Sequence, residues 1–508
     1  MTVAEAMTAA EARFEARRQL AGLVLAPLAF VALLVSPLPL DRPAHALAAV
    51  AAATVILWIT EAIPMPMAAL LGPAAAALLG VAPAKQVFAP IADPLIFLFL
   101  GGFLLAEGLS RQHVDRRIAL WLIARPIVAG SPARALVAVC LIAFSFSMWI
   151  SNTATTAMLL PVALGVHATM RTVLGDDPET RRKLDHFAGG MCLTLAYASS
   201  IGGIATPIGT GPNVLAIGML EERLGEQFGF ARWMAFALPT SCAMIVVTLI
   251  LATRRFRAPV ARLPGLALEV QRQLAALGPV HPAERRAMAI FALAIAGWLT
   301  PSILQLSLGE AHRWSLAATV LLDEGVVAIT CASLLFFLPG RPGDAGPRTL
   351  VTWDDARGLD WGTLMLLGGG LALGRLTFET GLAEAIGRGV LHGLGPIAGH
   401  PIGLMLAAVA LILVLTEVTS NTAVTSMMLP VLIGIAQAAG FDPVPIAVLA
   451  TMAASFAFML PVSTPPNAMA YGTRMIRVES MIAFGVRLDV IGFVVLALVG
   501  TVLLPLLE

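Results

Sequence analysis

Long apolar segments alternate with short polar ones along almost the whole chain. Many of the apolar runs are about 17 to 25 residues long, which is enough for an α-helix to cross a bilayer. Examples are residues 20–40, 231–253, 287–306, 316–338 and 481–507. This pattern predicts an all-α polytopic membrane protein.

The apolar runs predict eleven membrane-crossing helices. They are expected at about 20–40, 46–63, 65–83, 92–123, 187–220, 231–253, 287–306, 315–338, 361–386, 443–473 and 481–507. Cytoplasmic loops of membrane proteins are enriched in Lys and Arg. The most basic loop, 254–286, carries seven arginines, so we expect it on the cytoplasmic side. The N-terminus is then cytoplasmic and the C-terminus periplasmic.

Two further apolar segments are each interrupted by the triplet Ser-Asn-Thr. The segment 134–171 has the triplet at 151–153 and an arginine at each end, so it is expected to enter the membrane and turn back. The segment 401–440 has the triplet at 420–422, but no Lys or Arg lies between residues 388 and 474. The positive-inside rule then places its entry on the opposite side. The sequence therefore predicts two opposed re-entrant hairpins in an inverted repeat.

A second motif, Pro-x-x-Thr-x-Pro-Asn, also occurs twice. It occupies residues 207–213 and 461–467, within the apolar segments 187–220 and 443–473. Proline removes helical hydrogen bonds and frees backbone groups. Interrupted helices at matching places in two halves of a membrane protein are a sequence indication of a transport site. Both segments are predicted to be broken helices.

The composition strengthens this interpretation. The chain of 508 residues is 58% hydrophobic and 12% charged, with a net charge of +1, and all four of its asparagines lie in the two doubled motifs. An amide is costly in an apolar environment unless it is fully hydrogen-bonded or binds a ligand. The four cysteines are isolated and show no metal-ligand spacing. No nucleophile–base spacing indicates an enzyme, and the charge gives no reason to expect nucleic-acid binding.

The two Ser-Asn-Thr turns and the two broken-helix loops are expected to meet near the middle of the membrane. Their side chains and free backbone groups can bind both a cation and an anion. Hydroxyl, amide and carbonyl oxygens are hard neutral ligands that suit Na⁺. Helix N-termini suit a carboxylate or sulfate. No Lys or Arg lies inside either hairpin, so an anionic substrate is expected to need co-transported cations. Each bound cation lowers the electrostatic cost of the anion.

Five charged residues lie within or near the apolar segments but outside the two motifs. Glu417 is expected to have a structural hydrogen-bonding role, with a proton site as the alternative. Glu61 is interpreted as a helix-end residue, and Arg375 is expected to extend its side chain towards the membrane surface. Asp323 and Glu324 are adjacent within an apolar run and have no explanation from the sequence alone.

The sequence resembles the divalent anion/sodium symporter (DASS) family. The resemblance rests on Thr-Glu-Ala-Ile-Pro at 60–64, Ser-Asn-Thr at 151–153, Thr-Glu-Val-Thr-Ser-Asn-Thr at 416–422 and Thr-Pro-Pro-Asn at 464–467. It covers the chain from about residue 20. Members of the family carry citrate, succinate, malate, related carboxylates or sulfate. The resemblance implies a homodimer in the lipid bilayer, in which a mobile transport domain slides past a scaffold as an elevator. The chain has two lysines against thirty arginines and abundant Ala and Gly, which is typical of a GC-rich bacterial gene, so we expect the inner membrane.

The expected division of the chain follows from this resemblance. It comprises a cytoplasmic N-terminal segment (1–19), scaffold helices (20–132), transport elements (133–253), a basic cytoplasmic linker (254–286), a second set of scaffold helices (287–400) and a second set of transport elements (401–508).

The resemblance also implies the binding residues. The first sodium site would consist of Ser147, Ser151, Asn152 and the carbonyl of Gly203, and the second of Thr416, Thr419, Asn421 and Ser463. The substrate would contact the side chains of Ser151, Asn152, Thr153, Ser420, Asn421 and Thr422, together with Thr464 and Pro465.

One position departs from the family pattern. Where members often have Gly-Gly-Thr or Gly-Gly-Ser, this chain has Ile204 after two glycines, so a hydroxyl expected near the substrate is missing. The leading hypothesis is Na⁺-coupled symport of a C4 dicarboxylate such as succinate, malate or fumarate. The alternatives are a sodium-independent dicarboxylate exchanger and a carrier of sulfate or another divalent oxyanion. A passive ion channel and a membrane enzyme are alternatives from other classes.

Overall fold

The computed structural model of the protein describes residues 9–128, 130–175, 177–225, 228–263, 265–309, 311–341, 349–394 and 400–507. Within these ranges the only β-type pairing is an isolated bridge between Pro339 and Thr349; the regular structure is otherwise helical. The predicted N-terminal segment falls partly outside the described residues, since 1–8 are not among them. Its remainder is helical, because the first helix already begins at Ala9.

Among its described residues, the first half of the chain forms eleven α-helices and one short 3₁₀ helix, Ala89–Ala92. They are α1 (Ala9–Val35), α2 (Arg42–Thr60), α3 (Met65–Leu78), α4 (Ala84–Phe88), α5 (Pro94–Arg111), α6 (Val114–Ile123), α7 (Pro132–Ser147), α8 (Asn152–Leu174), α9 (Pro178–Ile204), α10 (Gly211–Leu224) and α11 (Phe230–Arg255).

The second half contains twelve α-helices in the described ranges. They are α12 (Leu266–Ala276), α13 (Pro282–Leu308), α14 (Arg313–Leu321), α15 (Glu324–Phe337), α16 (Trp353–Arg357), α17 (Trp361–Glu379), α18 (Leu382–Leu394), α19 (Pro401–Thr416), α20 (Asn421–Ala438), α21 (Pro443–Ala454), α22 (Pro465–Gly472) and α23 (Val478–Leu507).

The helices confirm an all-α multi-pass membrane protein. Among the described residues, nine helices are long and apolar enough to cross a bilayer, and α14 with α15, bent by 59°, makes a tenth. Shorter apolar helices are α3, α7, α19 and α21. The eleven crossings expected from the sequence therefore stay a prediction, because length and hydropathy alone do not decide which short helices cross.

Three predicted helices are interrupted in the structure. The run 92–123 breaks between α5 and α6 at His113, whose φ is +61°. The run 361–386 breaks between α17 and α18 at Gly381, whose φ is +73°. The run 315–338 breaks at Asp323, whose carboxylate accepts hydrogen bonds from the first amides of α15, Gly325 and Val326. Each break falls at a short polar stretch within its run, and the apolar residues on both sides made each run resemble one continuous helix.

The predicted linker 254–286 is also partly structured. It contains the helix α12, and the Leu263 amide donates to the Gly130 carbonyl at 2.7 Å. At its end, Glu284 in the first turn of α13 accepts a 2.5 Å hydrogen bond from Arg117 and is also paired with Arg341. The linker is therefore tied to α6 and to the loop between α6 and α7.

Helices of the two halves pack against each other around the motif breaks. α8 packs against α9 and α22, while α20 packs against α10 and α21. Helices α5 and α15 pack closely, as do α3 and α17. One hydrophobic core joins buried residues from Leu95 to Leu496. The breaks in both halves therefore lie in the same hydrophobic core.

The α5–α15 contact depends on a residue without a side chain. A Cβ on Gly101 would lie 2.6 Å from the Ala328 backbone carbon. We expect Gly101→Ala to destabilise the protein by about 1–3 kcal/mol, because one of the two backbones must move. Gly165→Ala is the matched control, since a Cβ there meets nothing within 4 Å among the described atoms, and a helical Gly→Ala change stabilises by up to about 1 kcal/mol. Thermal unfolding in detergent measures both; equal melting temperatures would contradict the close approach.

Candidate functional site

The first Ser-Asn-Thr turn (151–153) joins α7 to α8. Ser147, the last residue of α7, donates its hydroxyl to Asn152 Oδ1 at 2.6 Å. Ser151 caps α8 by accepting from the Ala154 amide at 3.3 Å. Gly203 lies directly against this turn, because a Cβ there would be only 2.3 Å from Asn152 Oδ1. The structure therefore brings together the four residues predicted for the first sodium site.

The second Ser-Asn-Thr turn (420–422) joins α19 to α20 in the same way. The hydroxyl of Thr416, the last residue of α19, lies 2.8 Å from Asn421 Oδ1 and 2.6 Å from the Ala454 carbonyl. The single proton of the hydroxyl serves one of these acceptors at a time. The hydroxyl residue stands five positions before the asparagine in both halves. The two turns thus share one local geometry.

The first broken helix is held together by the asparagine of its motif. Asn213 Nδ2 donates to the carbonyls of Gly203 (2.9 Å), Ile204 (3.1 Å) and Thr206 (2.7 Å). These carbonyls lose their helical partners where α9 ends. Asn213 is fully buried, so its amide group replaces the missing hydrogen bonds inside the protein, where water is excluded.

The second broken helix repeats this arrangement. Asn467 Nδ2 donates to the carbonyls of Ala457 (2.8 Å) and Leu460 (3.1 Å). In each half the bonded carbonyls stand ten and seven residues before the asparagine. Thr464 caps α22 by accepting from the Asn467 amide at 3.3 Å. The asparagines of the second motif therefore have the same structural role in both copies.

Glu417, which is 2% exposed, binds the backbone of the second break (455–464). Its carboxylate accepts from the amides of Phe458 (2.7 Å), Met459 (2.9 Å) and Leu460 (3.2 Å). Ser463 Oγ lies 2.9 Å from the same carboxylate. The hydrogen-bonding role predicted for Glu417 is confirmed.

The two halves meet at these turns. A Cβ on Gly211, the first residue of α10, would lie 2.9 Å from Thr422 Oγ1. The second Ser-Asn-Thr turn is therefore next to the broken helix of the first half. Likewise, α22 of the second half packs against α8 of the first half, and α8 begins at the first Ser-Asn-Thr turn. The N-termini of α8, α10, α20 and α22 belong to this one region.

Exposure separates the predicted binding residues into two groups. Partly or fully exposed are Ser151, Asn152, Thr153, Ser420, Asn421, Thr422 and Pro465. Buried are Ser147, Gly203, Thr416, Thr419, Ser463 and Thr464. Most residues predicted for substrate thus line an open polar face, whereas those predicted only for sodium lie behind it.

Several buried oxygens in this region lack a hydrogen-bond partner within the described ranges. They are Thr155 Oγ1, Ser200 Oγ and Asn213 Oδ1 in the first half, and Thr419 Oγ1, Ser455 Oγ and Asn467 Oδ1 in the second. Each such group costs about 1–3 kcal/mol when left unpaired. Among the described residues, no group of three His, Cys, Asp or Glu side chains is arranged to hold a metal. The region is instead suited to an ion that accepts neutral oxygen ligands.

The position that departs from the family pattern lies in the interior. The side chain of Ile204 is fully buried, and its carbonyl accepts from Asn213 and from Trp233 Nε1 at 2.9 Å. The hydroxyl that is missing at 204 would therefore stand in the interior, and its expected place near the substrate stays a prediction.

The remaining charged residues have local partners. Glu61 ends α2 with a φ of +47° and pairs with Arg18 at 3.2 Å, which confirms the helix-end interpretation. Arg375 pairs with Glu222 at 3.1 Å and Glu379 at 2.8 Å, and the expected extension of its side chain towards the membrane surface stays a prediction. Glu324 accepts from the Phe230 amide. None of these residues is part of the two motifs.

The sequence reasoning missed two features of the site. It gave no individual role to Asn213 or Asn467, although both stand in the doubled motif. It also overlooked Asp489, a buried acid in α23. The signal for Asp489 was present, because an acidic residue within the apolar run 481–507 stands out in the same way as Glu417.

Comparison with known proteins now identifies the family. The model described as "Sodium:sulfate symporter transmembrane region" matches residues 17–507. The chain belongs to the sodium:sulfate symporter family. This confirms the predicted resemblance to the divalent anion/sodium symporters, and it establishes that the protein is a membrane transporter and not an enzyme.

Curated relatives of this sodium:sulfate symporter family member share most of its length. The sodium-dependent dicarboxylate transporter SdcS of Staphylococcus saprophyticus is 32% identical over 492 residues, which are 96% of this chain and 92% of that protein. SdcS of Staphylococcus aureus strain MRSA252 is 33% identical over 493 residues, with the same coverage. The similarity therefore extends over both halves of the chain.

Solved structures of transporters share the fold. The Alcanivorax borkumensis YdaH transporter has a TM-score of 0.55 at 12% identity and matches 91% of this chain and 98% of its own. MtrF of Neisseria gonorrhoeae, from a class of antimetabolite efflux pumps, has a TM-score of 0.56 at 12% identity and matches 91% and 95%. At this identity the likeness concerns the fold alone.

The role of Asn213 can be tested by stability. Asn213→Ala leaves the carbonyls of Gly203, Ile204 and Thr206 without their donor, so we expect a loss of at least about 2 kcal/mol. Thr210→Ala is the matched control, because the Thr210 side chain makes no capping hydrogen bond to α10. Thermal unfolding of the purified protein gives the comparison. A melting temperature for Asn213→Ala equal to that of the control would show that these hydrogen bonds do not hold the break.

Proposed function

We propose that the protein is a secondary active transporter that couples Na⁺ entry to uptake of a C4 dicarboxylate such as succinate, malate or fumarate. The observation that carries the proposal is the repeated arrangement of neutral oxygen groups in the two motif copies. In each copy a hydroxyl and an asparagine oxygen meet at a helix N-terminus, and unpartnered buried oxygens lie close in sequence. The names of the SdcS relatives agree with this assignment.

The cations are proposed to bind behind the exposed turns. One Na⁺ would take oxygens from Ser147, Ser151, Asn152 and the Gly203 carbonyl, and the other from Thr416, Thr419, Asn421 and Ser463. Thr419 supports this, because its hydroxyl is buried and has no partner among the described residues. A bound Na⁺ would satisfy such an oxygen without requiring a negatively charged ligand.

The anion is proposed to bind at the open polar face in front of the cations. Its carboxylates would contact the two Ser-Asn-Thr turns together with Thr464 and Pro465. The N-termini of α8, α10, α20 and α22 offer amide groups and a positive dipole end. Residues 135–170 and 401–440 contain neither Lys nor Arg. The anion therefore depends on the cations for charge compensation, which is a physical basis for coupling.

An elevator mechanism in a homodimer is proposed for the movement. The two Ser-Asn-Thr units would be re-entrant hairpins of opposite orientation within the transport elements 133–253 and 401–508. Within the proposed ranges, α8, α9 and α22 pack together, and α5 packs on α15 and α3 on α17; across them, α17 and α18 also pack on α20. The basic linker 254–286 and the N-terminus would face the cytoplasm, with the protein in the inner membrane.

A carrier of sulfate is the second candidate, favoured by the description of the matched family. Sulfate is a divalent oxyanion and would use the same amide groups and hydroxyls. Sodium-independent exchange of dicarboxylates is the third candidate. The three are distinguished by substrate competition and by the response to a sodium gradient.

Transport itself is tested in proteoliposomes. We expect uptake of labelled succinate to rise steeply with an inward Na⁺ gradient, because the cations lower the electrostatic cost of the anion, and not with an equal K⁺ gradient. Excess malate should compete, whereas excess sulfate should not. Uptake that needs internal dicarboxylate and ignores sodium would establish exchange instead, and competition by sulfate alone would assign the second candidate.

The sodium ligands are tested by removing one oxygen. Ser147→Ala and Thr416→Ala should each weaken the apparent affinity for Na⁺ by about tenfold, corresponding to about 1.4 kcal/mol for one lost ligand. Ser145→Ala is the matched control, because Ser145 is exposed on the same helix and bonds to the Leu141 carbonyl of its own turn. The measurement is the Na⁺ dependence of succinate uptake. An unchanged dependence in both variants would contradict the assigned sites.

A further inference from the structure

A basic cavity lies between the start of α9 and the end of α11, two helices that are long and apolar enough to cross the membrane. It has a volume of about 440 Å³, which is within the range of ligand cavities, about 300–1,000 Å³. Among the described residues that line it there is no Asp or Glu. Its nitrogen-bearing side chains are Lys183, His186, Arg254, Arg255 and Arg257.

Packing fixes the two walls of this cavity relative to each other. Phe256, the residue after α11, is 2% exposed and packs edge-on against Phe484 of α23, with 5.2 Å between the ring centroids. A Cβ on Gly190 of α9 would lie 2.1 Å from Phe256 Cγ. Arg255 Nη1 lies 3.3 Å from His186 Nε2, and the histidine nitrogen accepts because a guanidinium group only donates. The chain after α11 is therefore held beside α9.

The protein supplies no counter-charge for the three arginines of the cavity. None of them forms an ion pair within the described residues. The acids nearest to them on α9 have other partners, since Glu179 pairs with Lys183 at 2.7 Å and Asp185 bonds to His167 of α8 at 2.9 Å. Like charges gathered in this way repel one another. The positive-inside rule accounts for the number of basic residues in a loop, but not for their convergence on one cavity.

The face of α11 that leads to the cavity is apolar and exposed. Val246, Ile250 and Arg254 stand four residues apart, so they share one face of the helix. The exposed fraction is 55% for Val246 and 44% for Ile250, and Arg254 is exposed as well. The arginine stands about 12 Å along the axis from Val246. A phospholipid has the same order of groups, with acyl chains in the hydrocarbon and a phosphate at the membrane surface.

We propose that this cavity binds the phosphate of an anionic phospholipid, whose acyl chains lie along Val246 and Ile250. Arginine donates paired hydrogen bonds to phosphate oxygens, and basic pockets between helix ends bind anionic headgroups. A zwitterionic headgroup fits less well, because the arginines repel its cationic group. The site is separate from the two motifs and does not depend on which substrate the protein carries.

Lipid binding to the full-length, delipidated protein tests the proposal, measured by native mass spectrometry with added phosphatidylglycerol or phosphatidylcholine. We expect phosphatidylglycerol to bind in preference. Arg254→Gln combined with Arg257→Gln should weaken its binding about thirtyfold, which corresponds to about 2 kcal/mol for two basic residues. Both arginines are exposed, so the variant keeps its fold. The matched control is Arg262→Gln combined with Arg272→Gln, which removes the same charge from exposed positions of the same linker outside the cavity.

The outcomes also distinguish a lipid from a soluble phosphate. Inorganic phosphate should not displace phosphatidylglycerol, because it has no acyl chains to contact α11; its displacement of the lipid from the wild-type protein would assign the cavity to a soluble phosphate and overturn the lipid. Equal affinity for the two lipids would overturn the recognition of an anionic headgroup. An unchanged affinity in the cavity variant, or an equal loss in the control, would overturn the site. None of these measurements involves transport, so their failure leaves the proposed function untouched.

Discussion

The structure depends on hydrogen bonds to the backbone groups that become free where helices break inside an apolar environment. Hydrocarbon offers no hydrogen-bond partners, so carbonyls freed at such depth must be bonded by the protein itself. Asn213 and Asn467 do this with the same spacing in both halves. The rare use of asparagine in this chain follows from that requirement, since one planar amide group can donate to several carbonyls and still present an oxygen.

The same breaks create the chemistry of the site. A helix that ends and restarts exposes carbonyls at one end and amides at the other, which suits cations and anions respectively. Because the two motif copies face each other across Gly211 and Thr422, both kinds of group are gathered in one region without a basic side chain. Once ligands enter, a site built in this way stays close to neutral only if its cations and anion are bound together, and this links the fold to the proposed coupling.

The two copies are not equivalent, and the difference concerns charge. The second copy holds its break through Glu417 and three backbone amides, whereas the first has Met148 at the corresponding place, with its carbonyl bound by Thr206. A carboxylate can accept from several amides at once, which a methionine side chain cannot do. Duplication therefore gave two similar frameworks with different electrostatic demands.

The sequence by itself determined the class of protein, the duplication, the places where four helices break and the family, because hydropathy, proline and rare asparagines are local signals. It also grouped Ser147 with Asn152 and Thr416 with Asn421, but only through the resemblance. The tertiary structure alone decided that Ile204 is buried, that α5 and α6 are separate helices, and that Glu417 binds amides more than forty residues away. Such contacts join segments distant in sequence, and their geometry is set by how the helices pack rather than by any local pattern.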